Sequence, residues 1–164
     1  MKVLYPGSFD PITNGHLDVL RRTLCFADCI VIGVLHNINK AKGLHVDTRL
    51  SLIHQSLAQE LGQGRHPIEV RTFSGLLVDF FDECGADVVV RGMRSSAEYA
   101  ADTLQAQANR AMNPRCETIF LPTNPSLAHI SSSRVREIAR FGGDISSMVP
   151  LCVLEVLDIM IKQD

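Results

Sequence analysis

Cys29-Ile30-Val31-Ile32-Gly33-Val34-Leu35 carries no charge and is rich in β-branched residues. A run of this length and composition predicts a strand covered on both faces, as in a parallel sheet. Val88-Val89-Val90, within Asp87 to Val90, has the same character. Shorter apolar runs at Val3-Leu4-Tyr5, Ile68 to Phe73 and Thr118 to Leu121 bring the predicted strands to five.

Helical patterns fill the intervals. Gly15 to Phe26 sets Leu17, Leu20 and Leu24 at helical spacing. Asp47 to Leu61 sets Leu50, Ile53, Leu57 and Leu61 on one stripe behind a predicted Asp47 cap. Leu76 to Cys84, Ala97 to Met112, Ser132 to Phe141 and Pro150 to Ile161 follow, with Pro150 suited to a first helical turn. Strand and helix alternate, which predicts an α/β chain. The expected architecture is one Rossmann-like domain over residues 1–164. Its five-stranded parallel sheet has the order 3-2-1-4-5, with helices on both faces.

Composition narrows the class. The chain has 164 residues, 46% hydrophobic and 21% charged, with a formal net charge of −2. That balance suits a globular domain and gives no ground for a nucleic-acid or membrane partner. The opening apolar run stops at Pro6-Gly7, too short for a signal sequence, and no apolar stretch reaches membrane-spanning length. A cytoplasmic location is expected. The five cysteines include no Cys-x-x-Cys and read as small buried hydrophobes in a reducing compartment. Neither they nor the six histidines fall at zinc spacing.

In sheets of this order, ligands bind beyond the carboxyl ends of the strands. The first such loop is Pro6-Gly7-Ser8-Phe9-Asp10-Pro11-Ile12-Thr13-Asn14-Gly15-His16. Gly7 allows close approach of a phosphate, and Asn14 or Thr13 can cap the following helix. The amides of that helix start make an anion site. His16 in its first turn reads either as a capping histidine or as a group aimed at that anion. Gly-x-Gly-x-x-Gly and Walker A patterns are both absent. After the fifth strand comes Ile130-Ser131-Ser132-Ser133-Arg134-Val135-Arg136. A serine cap is the bland reading. Arg134 and Arg136, however, oppose the helix dipole, a conflict that a bound polyanion removes.

Thr13-Asn14-Gly15-His16 resembles the (Thr/His)-x-Gly-His motif of the nucleotidyltransferase superfamily. The string from Pro6 to His16, with Ile130 to Arg136, is similar to bacterial phosphopantetheine adenylyltransferases along essentially the whole chain. The resemblance implies transfer of the adenylyl group of ATP to 4′-phosphopantetheine, giving dephospho-coenzyme A and pyrophosphate. It assigns His16, Lys40 and Arg91 to catalysis. It gives ATP the residues Ser8, Phe9, His16, Gly92, Met93, Arg94 and Asp102, with Leu127, Ala128, His129, Ile130, Ser131, Ser132 and Ser133. The acceptor would meet Ser8, Lys40, Leu77 and Arg91. It further implies a homohexamer, coenzyme A as a competing ligand, and Mg²⁺ arriving with ATP rather than on protein ligands.

Three positions depart from the family pattern. Asp102 stands for a glutamate, Lys42 stands where proline is frequent, and His45 replaces a threonine cap, whose task would pass to Asp47. Asp10 is expected to shape its loop rather than bind metal. The acceptor phosphate is mostly dianionic at neutral pH and needs no general base. Two alternatives stand beside this reading: a nucleotidyltransferase of the same fold acting on nicotinate mononucleotide or a phosphorylated alcohol, and, from a different class, a nucleotide-binding regulatory module without turnover.

Overall fold

A computed structural model describes residues 1–36, 43–62 and 67–161. Strands β1 (Lys2–Gly7), β2 (Cys29–Leu35), β3 (Ile68–Phe73), β4 (Val88–Met93) and β5 (Thr118–Pro122) are all parallel, in the order β3-β2-β1-β4-β5. Helices α1 (Asn14–Thr23), α2 (Val46–Leu61), α3 (Leu77–Cys84), α4 (Ser96–Met112), α5 (Ser132–Arg140) and α6 (Leu151–Ile161) connect and follow them. The expected sheet and order are both present. None of the described helices is long and apolar enough to cross a membrane.

The period-2 alternation of the strands splits the core in two. Val3, Tyr5, Ile30, Ile32, Val88 and Val90 face one side, where they pack with Leu17 and Leu20 of α1, Ile53 of α2 and Val153 of α6. Leu4, Val31 and Val89 face the other, against Val78, Phe80 and Phe81 of α3. Each aliphatic side chain among them contributes about 1.5–3 kcal/mol by leaving water. Gly33 is what lets Phe80 lie across β2: a Cβ there would stand 2.8 Å from the Phe80 ring.

Several boundaries move. β1 continues past Tyr5 to Gly7, and β4 continues past Val90 to Met93. Arg91 and Gly92 are therefore strand residues, in register with Phe120 and Leu121, not loop residues after a strand. The buried side of α2 is Arg49, Leu52, Ile53 and Ser56, one position off the expected leucine stripe; Leu50 and Leu57 are only partly covered. The Asp47 cap is also corrected. His45 holds the cap position without a side-chain bond, and Asp47 sits in the first turn, 3.3 Å from the His45 ring. Of the five free cysteines, Cys84, Cys116 and Cys152 are buried as expected, but Cys29 is half-buried and Cys25 exposed. In α4 only Asn109 is buried, and Leu104 and Met112 stand in solvent.

Candidate active site

Two cavities open at the carboxyl edge of the sheet, one of about 340 Å³ and one of about 460 Å³. Their linings share Pro6, Gly7, Ser8 and Arg91. The end of β1 and the guanidinium from β4 thus form a common wall at the switch point of the sheet.

The first cavity is cationic and rich in hydrogen-bond donors. It takes His16 from α1, Arg91, Gly92 and Arg94 from β4 and its end, and Ser131, Ser132, Ser133 and Arg136 from the start of α5. Thr13 is the cap of α1 and forms a reciprocal pair with His16: the Thr13 hydroxyl accepts from the His16 N–H, and the His16 ring accepts from the Thr13 N–H. The second bond, 3.0 Å long, requires an unprotonated Nδ1. The ring proton then lies on Nε2. Burial, with Arg94 and Arg91 nearby, lowers the His16 pKa to about 3. His16 is thus a neutral donor at neutral pH. Tyr5 beneath it is pushed above its usual range by burial.

Side-chain donors, three of them cationic, hold the carbonyls of the first loop. Arg91 donates to Pro6 O (3.0 Å), Arg49 to Ser8 O (2.7 Å), Arg136 to Asp10 O, and Ser132 Oγ to Pro11 O (2.8 Å). With these carbonyls engaged, the N–H groups of Ser8 and Phe9 have no partner among the described residues. Free amides in such a row bind anions. Phe9 itself is fully buried at φ 44°, its ring 5.0 Å from that of His16. Only its main chain can serve a ligand. Asp10 shapes the loop as expected, accepting from Leu44 N at 2.8 Å and pairing with Arg136 at 3.2 Å.

At α5, Ser131 is the cap, its hydroxyl accepting from Arg134 N at 3.2 Å, and no acidic residue occupies the first turn. Arg136 reaches the cavity, whereas Arg134 turns back to His129 O at 2.6 Å. Ile130 joins the lining. Met93, Leu127, Ala128 and His129 do not; Met93 ends β4, and the last three lie at the short 3₁₀ turn Pro125–Leu127 and just after it. Lys40 lies outside the described residues.

The second cavity is mainly apolar, with Leu35, Phe73, Leu76, Leu77 and Met112 among its walls. Its polar groups are few: Ser8, Gln105, Asn109, Thr118 and the Arg91–Asp102 pair. Asn109 is 3% exposed, and Thr118 Oγ1 is buried without a partner among the described residues. Leu77, expected at the acceptor, lines this cavity. Asp102, expected at ATP, also lines this second cavity rather than the first and takes the Arg91 guanidinium at 3.2–3.3 Å through both carboxylate oxygens. Asn109, Thr118 and Arg49 were not singled out from sequence, because a lone polar residue in an amphipathic segment carries no periodic signal.

A family model described as cytidylyltransferase-like matches residues 4–138. A phosphopantetheine adenylyltransferase from Alkaliphilus metalliredigens (strain QYMF) is 42% identical over 158 residues, covering 96% of this chain and 98% of that one. Another, from Parvibaculum lavamentivorans (strain DS-1 / DSM 13023 / NCIMB 13966), is 44% identical over 150 residues, covering 90% and 86%. The chain belongs to the phosphopantetheine adenylyltransferase family within the cytidylyltransferase-like class. Among solved structures, the Plasmodium falciparum nicotinic acid mononucleotide adenylyltransferase complexed with NaAD superposes with a TM-score of 0.70 over 99% of this chain and 95% of that one. Its identity is 16%, a likeness of fold alone.

Proposed function

We propose that this chain transfers the adenylyl group of ATP to 4′-phosphopantetheine, releasing pyrophosphate and dephospho-coenzyme A. The observation that carries this reading is the shared wall: Ser8 and Arg91 belong to both cavities. A triphosphate suits the first cavity, with its serine turn, Arg94, Arg136 and loop amides. A long, mostly apolar arm bearing amides suits the second, where Thr118 offers an unpartnered hydroxyl and Asn109 an amide whose oxygen accepts from Gln105 at 3.2 Å. The terminal phosphate of that arm would then meet Arg91.

The acceptor dianion is the nucleophile and attacks the α-phosphorus in line, without a covalent enzyme intermediate. His16 Nε2–H donates to the α-phosphoryl oxygens as charge builds there. Arg91 and Lys40 hold the acceptor phosphate, and the serine turn with Arg136 takes the pyrophosphate. Mg²⁺ enters as part of the nucleotide substrate. The described residues offer no cluster of three or more carboxylate, histidine or cysteine ligands, and Asp10 is engaged by Arg136 and Leu44.

A homohexamer accounts for the bare face of α4, where Leu104, Ala108 and Met112 are exposed at helical spacing. Coenzyme A carries the same arm and would compete for the second cavity. Five free thiols suit the cytoplasm. The test is pyrophosphate release from ATP with 4′-phosphopantetheine and, separately, with nicotinate mononucleotide. Release with the first acceptor alone supports the reading; release with nicotinate mononucleotide alone, or with neither, overturns it.

A further inference from the structure

Arg49 stands on the buried face of α2, 7% exposed. One nitrogen of its guanidinium donates to Ser8 O at 2.7 Å and to Leu35 O at 3.0 Å. The residue thereby ties the end of β1 to the end of β2. Its Nε is buried with no partner, and no carboxylate lies within ion-pair distance among the described residues. Asp10, in the loop that Arg49 holds, pairs with Arg136, and Asp47, on the same helix, lies beside His45. A buried cation without a counter-ion is costly and persists where something compensates it.

The compensation lies in what Arg49 does to Ser8. A peptide's C=O and N–H point in opposite directions. Holding the Ser8 carbonyl toward α2 turns the following amide, that of Phe9, away from α2. Arg91 acts in the same way on the Pro6 carbonyl and the Gly7 amide. Ser8 lines both cavities, so its orientation bears on both anions at once. The charge of Arg49, in a poorly hydrated position behind this turn, also favours a phosphate in front of it. We propose that Arg49 is a positioning residue that fixes the Ser8–Phe9 turn as an anion cradle and supplies an uncompensated positive charge behind it. This rests on the functional reading given above.

The test compares Arg49→Met, which removes the charge and both hydrogen bonds, with Arg49→Lys, which keeps the charge on a shorter reach. Both are measured as folded protein, verified by circular dichroism and a cooperative melt, for kcat and for the KM of each substrate. The expected result is a fall in kcat/KM for 4′-phosphopantetheine of about 100-fold for the methionine variant and about 10-fold for the lysine variant. A residue needed only for packing would lower Tm and leave the folded enzyme's constants unchanged. Constants within twofold of the parent in either folded variant overturn the proposal, and the lysine variant alone decides if the methionine variant does not fold. Should the parent itself release no acceptor-dependent pyrophosphate, the functional reading falls. Arg49 is then judged by calorimetry with inorganic pyrophosphate: tenfold weaker binding in the variant supports the cradle, and equal binding overturns it.

Discussion

The Thr13 main-chain N–H donates to His16 Nδ1 at 3.0 Å, and this bond decides which face of the imidazole can act on a ligand. It fixes the tautomer with Nε2 protonated, so capping and chemistry are two uses of one side chain. His16→Asn keeps a short acceptor for the cap but loses the far donor. The expected outcome is a drop in kcat of roughly 10²–10³-fold with both KM values within about threefold, since only transition-state stabilisation is lost. Steady-state kinetics at saturating ATP check it.

The same bond sets a pH dependence. The His16 pKa is depressed, to about 3 against an ordinary value of 6.5, mainly by burial. Between those values the unfolded chain binds a proton that the folded chain refuses. The stability from neutral His16 is therefore complete above pH 6.5 and is lost as pH falls toward 3. In the ligand-free protein, an NMR titration should find the His16 ring unprotonated down to pH 5. A midpoint near 6.5 would contradict the geometry.

Arg91→Lys tests the shared wall. Lysine keeps the charge but cannot hold Pro6 O and both Asp102 oxygens in one plane, as the guanidinium does at 3.0–3.3 Å. Its kcat/KM for the acceptor should fall about 100-fold, with the KM for ATP changing less than threefold. Initial-rate kinetics with each substrate varied in turn separate the two.

Gly92→Ala tests how closely α1 lies on β4. A Cβ at Gly92 would stand 2.7 Å from Val19 Cγ2. The expected cost is about 1–3 kcal/mol of stability from overpacking. Val19→Ala in the same chain should recover most of it. Denaturant melts of the single and double variants provide the check.

Leu104→Glu tests assembly. Leu104 is 68% exposed in the single chain, in the middle of the bare face of α4. If that face is covered by neighbouring copies, a carboxylate there should lower the molar mass in light scattering by at least half and leave the monomer folded.

The sheet could be read from sequence because β-branched runs such as Ile30-Val31-Ile32 report burial on both faces directly. His16, Arg91 and the serine turn were legible because strand ends and helix starts place them at the switch point whatever the packing. Which cavity a side chain faces was not legible. Asp102 matched a nucleotide-contacting position, yet it turns to the second cavity because Arg91, inside β4 rather than after it, draws the carboxylate there. Arg49 was hidden inside what looked like the polar side of an amphipathic helix. The buried face of α2 is rotated by one residue, and only the tertiary contact with Ser8 reveals why a charge lies on it.

The central claim is that two substrates held on either side of the Ser8–Arg91 wall react directly with each other. The stereochemical course at the α-phosphorus tests it most directly, using ATP made chiral there with sulfur and 4′-phosphopantetheine as acceptor. Direct transfer predicts inversion of configuration in the product. Retention, which requires an intermediate on the protein, would contradict it.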